Sequence, residues 1–170
     1  MNTKRLVRCA MVAAIYTVLC LVFLPFSYGA VQVRIAEALC LLPVFGPEYI
    51  VAVTLGCFLS NLLGSTLMDV VFGTAATLLA CVVTYLLRNV RFGKQKLAIV
   101  PSLPPVVSNA IIVGALMLTF LIPEAEATLP AALWNGFTVG VGEIISCTIL
   151  GVALVCLIER VPALRRLFTE

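Results

Sequence analysis

Histidine is absent from this 170-residue chain, aspartate occurs once, and Asp, Glu, Lys and Arg together make up 11% of residues. Each shortage excludes something. Without His there is no imidazole general base and no imidazole ligand for a metal. A soluble domain carries about 25% charged residues, so this chain cannot cover a water-exposed surface. That excludes a cytosolic enzyme domain, and so apolar a chain does not stay disordered. The seven cysteines form no CxxC pair and sit mostly inside apolar runs. A thiol there acts as a small hydrophobe, so neither a disulfide framework nor a zinc site is expected. Glycine-rich phosphate loops of the dinucleotide or Walker type are missing, so no ATP site or cofactor is expected in the chain itself. Ser60, Ser108 and Ser146 have no His to activate them, and the reading is not an enzyme.

What is present is apolar: 62% of residues are hydrophobic, and the mean hydropathy is +1.17. The expected solvent is lipid. A spanning helix needs about 20 residues. The reading is an all-α integral membrane protein with a single transmembrane domain over residues 1–170. Its six spans lie near 6–25, 33–45, 49–63, 69–87, 103–122 and 132–158. The first follows Lys4, Arg5 and Arg8 but lacks a cleavage signal, so it is read as a retained helix. The second and third are short and interrupted at Pro43, Gly46 and Pro47. They form either short helices ending in polar turns or a re-entrant pair. Pro104-Pro105 fall in the first turn of the fifth span, where proline is tolerated. The sixth is longer than a bilayer requires and should tilt or protrude.

Basic residues set the orientation. Lys4, Arg5 and Arg8 flank the first span; Arg88, Arg91, Lys94 and Lys96 follow the fourth; Arg160, Arg165 and Arg166 follow the sixth. The positive-inside rule places all three patches, and both termini, in the cytoplasm of a multi-pass cell-membrane protein. The loop from Pro123 to Pro130 carries Glu124 and Glu126 but no basic residue, and fits the outside. Glu48 reads as a helix-start acid in an inner turn.

The remaining polar residues are few and therefore informative. Arg34 is the only basic residue outside the patches, and Glu37 lies three positions on, on the same helix face. They form either an interfacial ion pair or the polar rim of a ligand site. Asp69 opens the fourth span, as an N-cap, a ligand contact, or both. Glu143, between Gly142 and Ile144, lies about 16 Å from the outer end of the sixth span. An ionisable group at that depth faces a cavity or a partner. Asn109 reaches a comparable depth on the antiparallel fifth span. Trp134 and Asn135 open the sixth span, where Trp is either an interface anchor or a stacking surface for an aromatic ligand. Asn61 ends the third span on the same side. Ala10 and Ala14 make a small-xxx-small pair on the first span, suited to close helix contact inside the bundle or with a partner.

Several of these residues belong to longer runs: Val33-Arg34-Ile35-Ala36-Glu37-Ala38-Leu39, Leu42-Pro43, Gly46-Pro47-Glu48 and Asn61-Leu62-Leu63-Gly64. Asp69 to Leu78, Leu103-Pro104-Pro105, Asn109-Ala110 and Gly140-Val141-Gly142-Glu143 continue the series. In order and spacing, from about residue 5 to 158, they resemble the QueT family. The resemblance implies the substrate-binding component of an energy-coupling factor transporter, a six-helix bundle that captures its solute outside. The implied cargo is a queuosine precursor, a 7-deazaguanine. The implied partners are a transmembrane coupling protein, docked on the Ala10–Ala14 face, and two cytoplasmic ATPases that use the ATP.

A deazaguanine offers a ring N–H and an exocyclic amine along one edge, and one carboxylate can accept both. Glu143 is the first choice for that role. Asn109 or Asn135 would read a carbonyl or ring nitrogen, and Trp134 would stack. Asp69 or Glu37 would accept the amine of an aminomethyl form. Another vitamin-like solute and a non-transporting membrane scaffold are the competing readings, which a ligand-binding panel separates. No nucleic-acid partner is expected.

Overall fold

The computed structural model describes residues 3–24, 33–93, 97–121 and 127–169. Lys94, Lys96, Glu124, Glu126 and Glu170 lie outside the described residues. The helices are α1 (Thr3–Val22), α2 (Ile35–Val44), α3 (Glu48–Gly64), α4 (Asp69–Leu86), α5 (Ile99–Leu121), α6 (Leu129–Arg160) and α7 (Pro162–Thr169). Of these, α1, α4, α5 and α6 are long and apolar enough to cross a membrane, and α2 and α3 are shorter. The short α2 is wound in 3-10 turns. At about 2.0 Å per residue such turns carry a ten-residue segment about 20 Å, a third farther than α-turns.

Helices in lipid gain little from hiding apolar surface, because lipid is itself apolar; they associate by close packing. The α1–α3 pair shows this. Besides the polar Arg8 and Asn61, the buried residues on α1 are Cys9, Val12, Ala13 and Tyr16, and on α3 they are Tyr49, Ala52, Val53, Gly56, Cys57 and Ser60. Both sets follow the i, i+3, i+4, i+7 spacing of one helix face. At their crossing a Cβ on Gly56 would lie 2.7 Å from Tyr16 Cβ and 2.9 Å from the Ala13 carbonyl oxygen. Only glycine allows the backbones this close, and the closeness sets the position of Tyr16.

Proline supplies the tie between α4 and α5. The helix starts at Ile99, so Pro104 and Pro105 lie beyond its first turn, deeper than their sequence position suggests. Pro105 has no N–H for the carbonyl of Pro101. The Thr84 hydroxyl of α4 donates to that carbonyl at 2.9 Å instead. At the start of α4 helical backbone begins at Leu67. Thr66 caps it, its hydroxyl accepting from the Asp69 backbone N–H at 3.3 Å and donating to Asp69 Oδ2 at 3.0 Å. Asp69 is thus the third residue of the helix rather than its cap, which frees one carboxylate oxygen for another contact.

Three long-range contacts gather the basic segments at one end of the bundle. Arg8 Nη1 donates to the Leu167 carbonyl at 2.7 Å, the Tyr49 hydroxyl donates to the Phe168 carbonyl at 3.0 Å, and Arg91 pairs with Glu159 at 3.1 Å. Glu48, at the start of α3, lies 3.8 Å from exposed Arg5 at the same end.

Candidate functional site

Six helix segments deliver polar side chains to one buried cluster. Glu143, 2% exposed, accepts from the Asn109 amide at 2.8 Å through Oε1. Both residues sit where their helices change: wider π-type turns begin at Asn109 on α5 and immediately after Glu143 on α6. Such turns are rare and concentrate at functional sites. The Cys147 thiol, one turn beyond Glu143, lies 3.2 Å from Glu143 Oε2 and 3.2 Å from the Glu37 carbonyl of α2. Glu37 is equally buried. Its two carboxylate oxygens accept from the Tyr16 hydroxyl of α1 at 2.5 Å and from the Cys40 thiol at 2.8 Å.

The second half of the cluster centres on Asp69. Arg34 Nη2 lies 3.9 Å from Asp69 Oδ1, while Ser65 and Thr66 donate to Oδ2. Buried Asn61 donates to the Asp69 carbonyl at 3.0 Å, fixing the start of α4 against the end of α3. Arg34 also lies within electrostatic reach of Glu37 and Glu143. Three carboxyl groups therefore share the neighbourhood of one guanidinium, of which Asp69 is its ion-pair partner. A buried charge is costly unless paired or hydrogen-bonded, and a cationic ligand would suit this surplus of acceptors.

Ligand atoms of Glu37, Glu143 and Cys147 lie within 4.8 Å of one another, the spacing of a metal-binding trio. Those atoms are already engaged with Tyr16, Cys40 and Asn109, and the cluster is satisfied as a hydrogen-bonded network. The adjoining hollow, lined by Tyr16, Cys20, Arg34, Ser60 and Asn61 among others, has a volume of about 30 Å³. That admits one or two waters, whereas a small-molecule pocket measures about 300 Å³ or more. Admitting a bicyclic base requires the surrounding side chains to move.

Of the residues singled out from the sequence, Arg34, Glu37, Asn61, Asp69, Asn109 and Glu143 come together. Asn135 is held apart from them, donating to the Thr119 hydroxyl of α5 at 3.1 Å. Trp134 is 66% exposed, its ring lying against that of Phe137 with centroids 6.3 Å apart, so it faces the outer surface of the bundle. Ala10 and Ala14 are exposed, and Ala10 borders a hollow shared with Val51, Ala52 and Leu55 of α3. Sequence reasoning passed over Tyr16, Cys40 and Cys147. The available signal for Tyr16 was a hydroxyl on the same stripe as Cys9, Val12 and Ala13.

A profile of the QueT transporter family matches residues 6–160. The chain belongs to the QueT transporter family. It is also similar to the queuosine precursor transporter QueT of Lactococcus lactis subsp. cremoris (strain MG1363), with 40% identity over 79 residues. That alignment covers 45% of this chain and 47% of the relative, about half of each. No solved structure matches the chain. The family is one of transporters, not of enzymes, and its match takes in every residue of the buried cluster.

Proposed function

We propose that the chain is the substrate-binding component of an energy-coupling factor transporter, and that it captures a queuosine precursor at the Glu37–Asp69–Asn109–Glu143 cluster. The observation that carries the reading is Glu143, a buried carboxylate oriented by Asn109 and set beside a second buried carboxylate, Glu37, in a chain of this family. Glu143 accepts the N–H and exocyclic amine of the 7-deazaguanine, and Asn109 holds it in register. Of the aminomethyl and cyano forms, the excess of carboxyl groups over the single Arg34 favours the aminomethyl cation, whose amine meets Asp69 or Glu37. Six spans with both termini in the cytoplasm would turn this cluster toward the outside. The supply of ATP energy is assigned to two partner ATPases acting through a coupling membrane protein, in keeping with the missing phosphate loop.

Mass spectrometry of ligand retained by the purified protein tests the cargo, and calorimetric titration with the aminomethyl and cyano forms tests the preference. Binding is expected without ATP. Proteoliposomes should concentrate the solute only when the coupling protein and both ATPases are present. A chain that binds neither form, or that concentrates one alone without ATP or an ion gradient, overturns the proposal.

A further inference from the structure

A groove of about 590 Å³ runs between the first turns of α1 and the terminal helix α7, far from the buried carboxylates. Lys4, Arg8 and Arg166 line it, and none of the described residues that line it is acidic. Val7, Ala163 and Leu167 supply an apolar wall. Arg165 and Arg166 also line an adjacent hollow of about 320 Å³. Arg8 is the unusual member. It is only 7% exposed, and its side chain meets two neutral groups, the Leu167 carbonyl at 2.7 Å and the Tyr49 hydroxyl. Among the described residues no carboxylate pairs with it. Neutral partners offset only part of the desolvation of a guanidinium, so an anion in the groove would stabilise it further.

The surroundings show what kind of anion would complete the site. From Val7 a line of exposed apolar residues climbs α1 through Met11 and Ile15 at four-residue spacing. A charged hollow therefore opens directly onto an apolar track. Helix α7 itself, Pro-Ala-Leu-Arg-Arg-Leu-Phe-Thr, turns Phe168 onto Phe45 and Tyr49 while its arginines stay exposed, as in a helix lying in the membrane interface. A free phosphate would use the cations but not the track. A molecule with an anionic head and an acyl tail uses both. We propose that this groove binds the headgroup of an anionic phospholipid, with one acyl chain lying along Val7, Met11 and Ile15. Bound lipid would supply a counter-charge to Arg8 and fasten α7 to α1.

The test uses the full chain in nanodiscs of phosphatidylcholine containing a minor fraction of phosphatidylglycerol. After gentle detergent release, native mass spectrometry counts the lipids that stay bound. The original protein should retain phosphatidylglycerol in preference to phosphatidylcholine. Lys4→Gln with Arg166→Gln, both exposed positions, should leave folding intact and weaken retention about 30-fold. Arg88→Gln with Arg160→Gln, an equal loss of charge elsewhere at the same end, should change it less than threefold. Equal retention of the two lipids overturns the proposal, as does an equal effect of the two double variants. Competition by glycerol phosphate as strong as by the whole lipid would make this a plain anion site. If Lys4→Gln/Arg166→Gln abolishes assembly with a coupling protein but leaves lipid retention unchanged, the groove is a protein-docking surface instead.

Discussion

Asn109 on α5 donates to Glu143 on α6 across 2.8 Å, and each residue stands at the point where its helix widens. The bond joins two antiparallel rods at one buried level and leaves Glu143 Oε2 to the Cys147 thiol. Replacing Asn109 by Leu removes the donor and leaves a buried carboxylate short of a partner, which costs about 1–3 kcal/mol. Glu143→Gln alone keeps an acceptor for Asn109 and should cost less. A double-mutant cycle of Asn109→Leu and Glu143→Gln, read by thermal unfolding in detergent, should show a coupling of about 0.5–3 kcal/mol. Additive effects would mean that the two side chains do not depend on one another.

How far the site was legible in the sequence follows from what a polar residue stands out against. Glu143, Asn109 and Arg34 were visible because carboxylates, amides and guanidinium groups are rare in apolar helices. The approach of Asn109 to Glu143 was legible from their matching depths on antiparallel spans; the closeness of Glu37 to Glu143 was not, since it depends on how α2, with its 3-10 turns, carries Glu37 toward α6. Tyr16, Cys40 and Cys147 were hidden because Tyr and Cys occur in apolar spans for packing alone. The cap of α4 was misplaced because Thr66 and Asp69 both suit a helix start, and only the backbone identifies the first helical residue. Trp134 shows the reverse: an aromatic at a span end serves equally as a lipid anchor, and here it lies on the outer surface. The α-helical class and the gathering of the described basic residues at one end of the bundle were the most readable features, because they depend on hydropathy and charge summed over many residues.

Two glycines should respond differently to alanine. A Cβ on Gly56 would press on Tyr16 Cβ and the Ala13 carbonyl at 2.7 and 2.9 Å. On Gly140 the nearest atom would be Ala110 Cβ at 3.5 Å, an ordinary contact. Gly56→Ala should destabilise the protein by about 1–3 kcal/mol and displace Tyr16 from Glu37. Gly140→Ala should be neutral or stabilising by up to about 1 kcal/mol, because alanine favours the helix. The lie of Gly140 near Glu143 therefore creates no strict need for glycine. Thermal unfolding of both variants decides this, and a similar loss in each would show that the α1–α3 crossing is not the tighter place.

The exposed face of α1 offers a test of partner docking. Ala10 and Ala14 lie one turn apart and outside the buried stripe of Cys9, Val12, Ala13 and Tyr16, and the hollow of about 170 Å³ between Ala10 and Val51, Ala52 and Leu55 of α3 leaves room for a larger side chain. Ala10→Leu or Ala14→Leu should thus leave stability within about 0.5 kcal/mol of the original. Solute affinity should also survive. Recovery of a complex with the coupling protein, or uptake by reconstituted complexes, should fall at least tenfold. Normal assembly and transport by both variants would mean that this face meets lipid only.

The sharpest test of the proposed cargo contrasts two carboxylates. Glu143 is buried and oriented by Asn109, so it suits a fixed donor edge; Asp69 holds Arg34 at 3.9 Å and lies at the start of α4, where it suits a mobile amine. Glu143→Gln keeps the shape but replaces one acceptor oxygen with a donor amide. If the carboxylate accepts two hydrogens from the deazaguanine edge, one contact becomes donor against donor. Hydrogen bonds to charged groups contribute about 1.5–3 kcal/mol each, so the loss should be about 2–5 kcal/mol, roughly 30-fold to several thousand-fold in affinity. Both the aminomethyl and the cyano form should lose it, since they share that edge, and an analogue without the exocyclic amine should lose much less. Asp69→Asn should instead weaken the aminomethyl form and leave the cyano form nearly unchanged, because only the former carries a cation. Calorimetric titration of folded, monodisperse variants with these three ligands separates the roles. Unchanged affinity of Glu143→Gln for all three would reduce Glu143 to a structural acid of the α5–α6 contact, and an equal loss of both forms in Asp69→Asn would mean that Asp69 acts through Arg34 rather than on the amine.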